Sequence, residues 1–220
     1  MGSLYWQLND CWPGASWSGY DYFGRYKALH YYAKRFYAPV TLGLFVKNNR
    51  IRINVSNEQI EGFEGVVSVE LCSNDMSVIR EFAENIKLDK LSSTDMTDTE
   101  LVPNDEYSEY VCVTLSDKNG NIVCTRTEFF VKPKHFSYIK PDIKVRFEKA
   151  TDTEAAAIVT SDVYAGDVYI DFENYDIILS DNYFDITHEG EYRVKFETTL
   201  SVAELESSVK VKSAYDIGHN

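Results

Sequence analysis

The sequence predicts a mainly β protein, two antiparallel sandwiches preceded by a single strand-loop-helix unit. Three observations lead there. From Val40 to the C-terminus, short runs of alternating apolar and polar residues recur between turn signals. A proline-flanked stretch from Lys132-Pro133-Lys134 to Lys140-Pro141 interrupts them once, as a linker between domains does. Ahead of Pro39 the texture differs, with 12 of the chain's 31 aromatic residues and all three tryptophans (Trp6, Trp12, Trp17). The expected domains are therefore 1–39, 40–137 and 138–220.

In the leading unit, Leu4, Trp6 and Leu8 alternate with Tyr5 and Gln7, which predicts a strand ended by Asn9-Asp10 and Trp12-Pro13-Gly14. After Gly24 the period becomes helical. Tyr26, Leu29, Ala33 and Phe36 form one stripe, Lys34 and Arg35 suit the negative end of the helix dipole, and Pro39 stops the helix.

In the first sandwich, Leu42 to Lys47 and Arg50 to Ser56 flank Asn48-Asn49, a two-residue hairpin signal. Val66 to Cys72 and Val78 to Ile86 continue the strands, and Lys90 to Asn104 reads as an exposed connection ending at Pro103. Tyr110 to Ser116 and Ile122 to Val131 make a second hairpin around Asp117-Lys118-Asn119-Gly120. Tyr110-Val111-Cys112 has the spacing of a tyrosine corner, but a two-residue loop places Cys112 opposite Thr125 or Thr127, so no disulfide to Cys124 is expected. In the second sandwich, strands are expected around Ile143 to Phe147, Val168 to Phe172, Tyr192 to Phe196 and Val209 to Val211.

Charge divides unevenly: residues 1–39 carry +2 and residues 40–220 carry −15 of the total −13. An acidic chain without a basic cluster argues against nucleic acid and against anionic membranes, whose phosphates need Lys and Arg grouped on one face. Neutral ligands fit better. Cys11, Cys72, Cys112 and Cys124 form no CxxC pair and have no histidine at zinc spacing, so neither a metal site nor a cofactor is expected.

Few residues carry catalytic chemistry. Asp10 and Asp21 are the acids of the leading segment, and Asp10 reads as a turn carboxylate. The Glu61, Glu64 and Asp95, Asp98, Glu100 groups read as solvated loop charges. Gly14-Ala15-Ser16-Trp17-Ser18-Gly19 misses the nucleophile-elbow spacing, and His30 reads as a packed helix residue. His135, His188 and His219 show no partners in sequence. The Asn54-Val55-Ser56 sequon falls inside a strand. The tryptophans are the strongest candidates, because an indole face suits the C–H face of a sugar ring while its N–H remains free to bond a hydroxyl.

The ordered run Leu4-Tyr5-Trp6-Gln7-Leu8-Asn9-Asp10-Cys11-Trp12-Pro13, followed by Ser16-Trp17-Ser18, Asp21, Lys27-Ala28-Leu29-His30-Tyr31 and Arg35-Phe36-Tyr37-Ala38-Pro39, resembles the end of the catalytic barrel in β-mannosidases of glycoside hydrolase family 2. Ser180 to Ile186 with Gly190-Glu191 resembles the C-terminal immunoglobulin-like domain of the same family. The resemblance implies that residues 1–39 are the last strand-loop-helix unit of a (β/α)₈ barrel, followed by two immunoglobulin-like sandwiches. It further implies a retaining, exo-acting parent enzyme that hydrolyses terminal non-reducing β-D-mannose residues. Its two catalytic glutamates would lie on earlier barrel strands, leaving no catalytic residue in this chain. Trp6 would form part of the wall around the terminal mannose, with Trp12 and Trp17 as further candidates and Asn9 and Asp10 as supports. The chain's partners would then be a β-mannoside glycan and the remainder of the barrel. One barrel strand and one helix cannot cover their own edge and apolar face, so residues 1–39 are also an expected self-association surface. The alternative is a non-catalytic carbohydrate-binding or structural module acting alone.

Overall fold

The computed structural model describes residues 4–96 and 99–218, which places Asp98 and His219 outside the described residues. Residues 4 to 8 do not form the expected strand. A strand needs a neighbour to complete its ladder, and among the described residues no strand runs beside them. Instead the Gly19 N–H donates to the carbonyls of Gln7 and Leu8 at 3.1 and 3.0 Å, and the Tyr20 N–H to Leu8 at 3.0 Å. Single bridges join Asn9 to Tyr20 and Tyr20 to Tyr26.

The helix is present as α1, Ala28–Phe36, but its buried face differs from the expected stripe. Tyr31 and Ala33 are buried, whereas Phe36 is 46% exposed. Packing chooses the face. The Tyr31 ring lies 6.1 Å from Tyr183 and its oxygen accepts from the Leu179 N–H, while Lys34 Nζ donates to the Ser180 carbonyl at 2.6 Å and Tyr32 bonds Asp167. The 179–183 segment is thus the seat of the helix. Burial there pushes the Tyr31 hydroxyl up to about 12.

Residues 35–140 make one compact unit. Strands β1 (Val40–Lys47) and β2 (Arg50–Asn57) pair from Lys47–Arg50 onward, and the turn between them puts Asn48 and Asn49 at φ 51° and 59°. Positive φ at both central residues is the geometry whose twist matches a hairpin, and asparagine tolerates it. Next come β3 (Phe63–Ser73), β4 (Val78–Leu88), β5 (Ser92–Asp95), β6 (Thr99–Glu100), β7 (Glu109–Asp117) and β8 (Ile122–Phe129). They form one sheet in the order β1-β2-β5, with β6 also on β2, and another in the order β4-β3-β7-β8. The inward sets Leu42, Ile51, Ile53 and Val55 from one and Val67, Val69, Leu71, Val111, Val113 and Leu115 from the other form the core. The expected connection 90–104 is corrected here, because β5 and β6 occupy the open edge of β2 and Leu101 is buried. Cys112 faces Thr127 and Cys124 faces Leu115, and none of the four cysteines is in a disulfide.

Residues 141–220 and the first 34 residues form the other unit, so the structural units change over at 34/35 and 140/141 where the sequence places its boundaries at 39/40 and 137/138. Strands β9 (Lys144–Lys149), β10 (Glu154–Thr160), β11 (Ala165–Phe172), β12 (Phe184–Ile186) and β13 (Tyr192–Glu197) are followed by α2 (Val202–Ser208), β14 (Val209–Lys212) and α3 (Ala214–Gly218). The sheets run β13-β10-β9 and β12-β11-β14. Central β10 is absent from the sequence reading. Its Ala155-Ala156-Ala157 run has weak strand propensity and is buried on both faces, so it shows no alternation. Helix α2 is also unanticipated, although Ser201 and Glu204 form a reciprocal capping box that the Ser-x-x-Glu spacing advertises.

Candidate substrate wall around Trp6 and Trp17

Residues 6 to 17 belong to no helix or strand, and the loop they form closes at Gly19, whose N–H donates to the Gln7 and Leu8 carbonyls. The loop forms a shallow cleft of about 290 Å³ lined by Trp6, Gln7, Ala15, Ser16 and Trp17. Both indoles are open to solvent, Trp6 at 73% and Trp17 at 82% exposure. Two aromatic faces with one amide and one hydroxyl, and no charge, match a neutral polyhydroxylated ring, which stacks its C–H face and hydrogen-bonds its rim. The lining offers no carboxylate, imidazole or thiol with which to hold a metal. Trp12, 77% exposed, lies outside the lining. Asn9 is exposed, outside it as well, and its amide donates to the Asp10 carbonyl at 3.2 Å.

Asp10 sits beneath the cleft and is 6% exposed. Its Oδ2 accepts from Lys27 Nζ at 2.7 Å and its Oδ1 from the Ser16 hydroxyl, while Lys27 also donates to Ser18 Oγ at 2.8 Å and Ser18 Oγ to the Tyr20 carbonyl at 2.5 Å. Ser16 belongs to both the network and the cleft lining, so Asp10 and Lys27 hold the loop that presents Trp17. Lys27 lies 17 positions downstream of Asp10, beyond the reach of any local spacing rule. The charge pattern offers a weak signal, because the two acids of the segment each take a base: Asp21 accepts from Arg25 Nε at 2.6 Å.

The Lys27 ammonium, aided by Ser16, holds the Asp10 carboxyl at about 2, below the usual 3.8. A depressed pKa stabilises the fold above the unfolded value and ceases to do so as pH falls through the folded one. Tryptophan fluorescence should therefore report loosening of this loop as pH drops from 3.8 towards 2, because every tryptophan of the chain lies within residues 6–17. Asp10→Asn should abolish that transition; a variant that keeps it would remove Asp10 from control of the loop.

His30 is a packed ring, with centroids 3.8 Å from Tyr26 and 4.9 Å from Tyr20, and burial lowers its pKa. Asn54, the sequon residue, lies on β2 and its amide donates to Ser93 and Asp95 at 2.9 and 2.8 Å.

Two family models match the chain, the mannosidase Ig/CBM-like domain over residues 49–135 and the mannosidase Ig-fold domain over residues 139–217. Among curated proteins, the chain is similar to the β-mannosidase of Capra hircus, 60% identical over 40 residues that make up 18% of this chain and 5% of that protein. It is also similar to β-mannosidase A of Aspergillus terreus, 41% identical over 71 residues, or 31% of this chain and 8% of that protein. Among solved structures, the β-D-mannosidase of Dictyoglomus thermophilum superposes with a TM-score of 0.84 at 22% identity, covering 94% of this chain and 25% of that one. An exo-chitosanase of Amycolatopsis orientalis gives a TM-score of 0.70 at 14% identity, covering 96% and 29%. The chain thus spans a small part of the length of each relative that it matches. Two successive domain matches and the shared β-mannosidase sequence lead to one assignment: the chain belongs to the β-mannosidases of glycoside hydrolase family 2, as the C-terminal part of such a protein with its two immunoglobulin-like domains.

Proposed function

We propose that this chain serves a retaining, exo-acting β-mannosidase that removes terminal non-reducing β-D-mannose residues, and that residues 4–27 supply one wall of its substrate pocket. In this reading residues 1–39 are the last unit of the catalytic barrel, and the two sandwiches are accessory domains. Trp6 stacks on the terminal mannose, Trp17 extends the aromatic surface across the cleft, and Trp12 faces the missing part of the barrel. Asp10 supports the loop from below and Asn9 steadies the turn. The observation that carries the reading is the uncharged cleft between two open indoles, anchored by the ion pair of buried Asp10 with half-buried Lys27.

A retaining glycosidase needs two carboxyl groups about 5 to 5.5 Å apart, one as acid/base and the other as nucleophile. Asp10 and Asp21 fit neither role, because each is held by its own base, Lys27 and Arg25. The catalytic pair is therefore assigned to the rest of the barrel. The exposed apolar residues Leu4, Leu8 and Trp12, between 61% and 88% open, form the face that this remainder covers. The purified 220-residue chain is accordingly expected to release no nitrophenol from an aryl β-mannoside. Sustained turnover, lost on changing a carboxylate within the chain, would overturn the assignment.

A further inference from the structure

Strand β4 ends the sheet β4-β3-β7-β8, so one of its edges carries backbone groups that no described strand pairs. Its residues from Val78 to Asn85 are exposed on both faces, with Phe82 at 39%. A long open edge carrying an apolar residue is a template for another strand. Its side-chain order decides which one.

When two copies of a strand lie antiparallel about a two-fold axis normal to the sheet, each residue faces a residue of the same parity, because facing side chains share a face. With Phe82 on the axis, Phe82 meets its own copy, Arg80 meets Glu84 at both ends, and Glu81 meets Ala83. Centring on Arg80, Glu81 or Glu84 instead sets like charges against each other. Centring on Ala83 sets Glu84 against Phe82 and Arg80 against Ile86. The regular ladder of β4 on β3 is interrupted between Val78 and Arg80, so the usable edge begins at Arg80.

We propose that the free edge of β4 docks a second copy of this chain, β4 against β4 with Phe82 on the two-fold axis, joining two four-stranded sheets into one. The proposal is independent of the mannosidase reading. The register pairs opposite charges on either side of an aromatic contact, and such cross-strand pairs stabilise adjacent strands while like charges oppose them. A five-residue overlap gives a weak, concentration-dependent dimer.

Sedimentation velocity of the full chain at ~0.15 M salt, where charges are screened beyond about 8 Å, should show a monomer–dimer equilibrium. Arg80→Glu or Glu84→Arg alone should weaken it at least about tenfold, and the double variant R80E/E84R should restore it to within about threefold. Phe82→Cys in a Cys11→Ser background should oxidise to a covalent dimer, since facing Cβ atoms lie about 4.5 to 5.5 Å apart. That bridge should form with the native charges or with both reversed, and fail with either reversed singly. Circular dichroism would establish that each variant is folded. A chain that stays monomeric to ~1 mM, or one that dimerises regardless of the single reversals, would overturn the proposal; the second outcome assigns association to the aromatic face of residues 4–23.

Discussion

In the complete enzyme, Trp6→Ala is expected to lower kcat/KM by about 10²-fold or more, equivalent to about 2.7 kcal/mol at 1.36 kcal/mol per decade. The proposed role makes the loss kinetic. An indole that stacks on the terminal sugar and follows the ring as it flattens towards the oxocarbenium-like transition state contributes more there than in the ground state. Trp6→Phe should recover part of the loss, because a smaller ring keeps some of the stacking face. A core role predicts the opposite pattern, a loss of order 3 to 5 kcal/mol in stability with near-normal kcat/KM in whatever remains folded. In this chain Trp6 is 73% exposed and lines the cleft, so its removal should leave the melting temperature of the 220-residue protein unchanged. Measuring kcat/KM in the complete enzyme together with melting of both proteins separates the two roles. A destabilised but kinetically normal variant would take Trp6 out of the pocket.

The largest expected effect on stability lies elsewhere, at Asn182, which is 4% exposed. Strand β12 pairs Phe184 with Val168 of β11, and the next pair on the ladder would be Asn182 with Ile170. The backbone turns away at Tyr183, whose φ is 53°. The Asn182 side chain continues the ladder instead, its Oδ1 accepting from the Ile170 N–H and its Nδ2 donating to the Ile170 carbonyl, both at 2.9 Å. Leaving a buried donor or acceptor without its partner costs about 1–3 kcal/mol. Asn182→Ala strands both, so a loss of about 2–4 kcal/mol is expected, or a fall of roughly 10 °C or more in melting temperature for a domain of this size. Asn182→Asp should not rescue it, since a carboxylate would face the Ile170 carbonyl in place of a donor. Asn119→Ala, in an exposed turn, is the control and should stay within about 0.5 kcal/mol. Equal melting of Asn182→Ala and Asn119→Ala would show that the side chain is not a ladder partner.

The same segment explains much of what could and could not be read in advance. Ser180 to Ile186 is recognisable in sequence as a family stretch, but its two tasks appear only in the fold: Asn182 completes a strand, and Ser180 and Tyr183 seat α1. The helix itself was legible from its period. Its inward face was not, because four apolar positions near one stripe leave the rotation open until a seat exists. The candidate site divides in the same way. The sequence pointed to Trp6 and to Asp10, while Lys27 and the pairing of Trp6 with Trp17 across one cleft depend on a loop that closes at Gly19.

By itself, the sequence determined the β texture of residues 40–220, the Asn48-Asn49 hairpin, the register that separates Cys112 from Cys124, and the family. Each of these rests on alternation, turn chemistry or an ordered motif, all of them local in the chain. Tertiary structure alone decided that Leu4 to Leu8 form no strand, that β5 and β6 close the edge of β2, and that the Ala155–Ala157 run is a central strand. The common reason is that backbone hydrogen bonds between strands must be completed by partners distant in sequence. Where a neighbour is present, even a polar or alanine-rich stretch is drawn into a sheet; where none runs alongside, an alternating pattern remains loop.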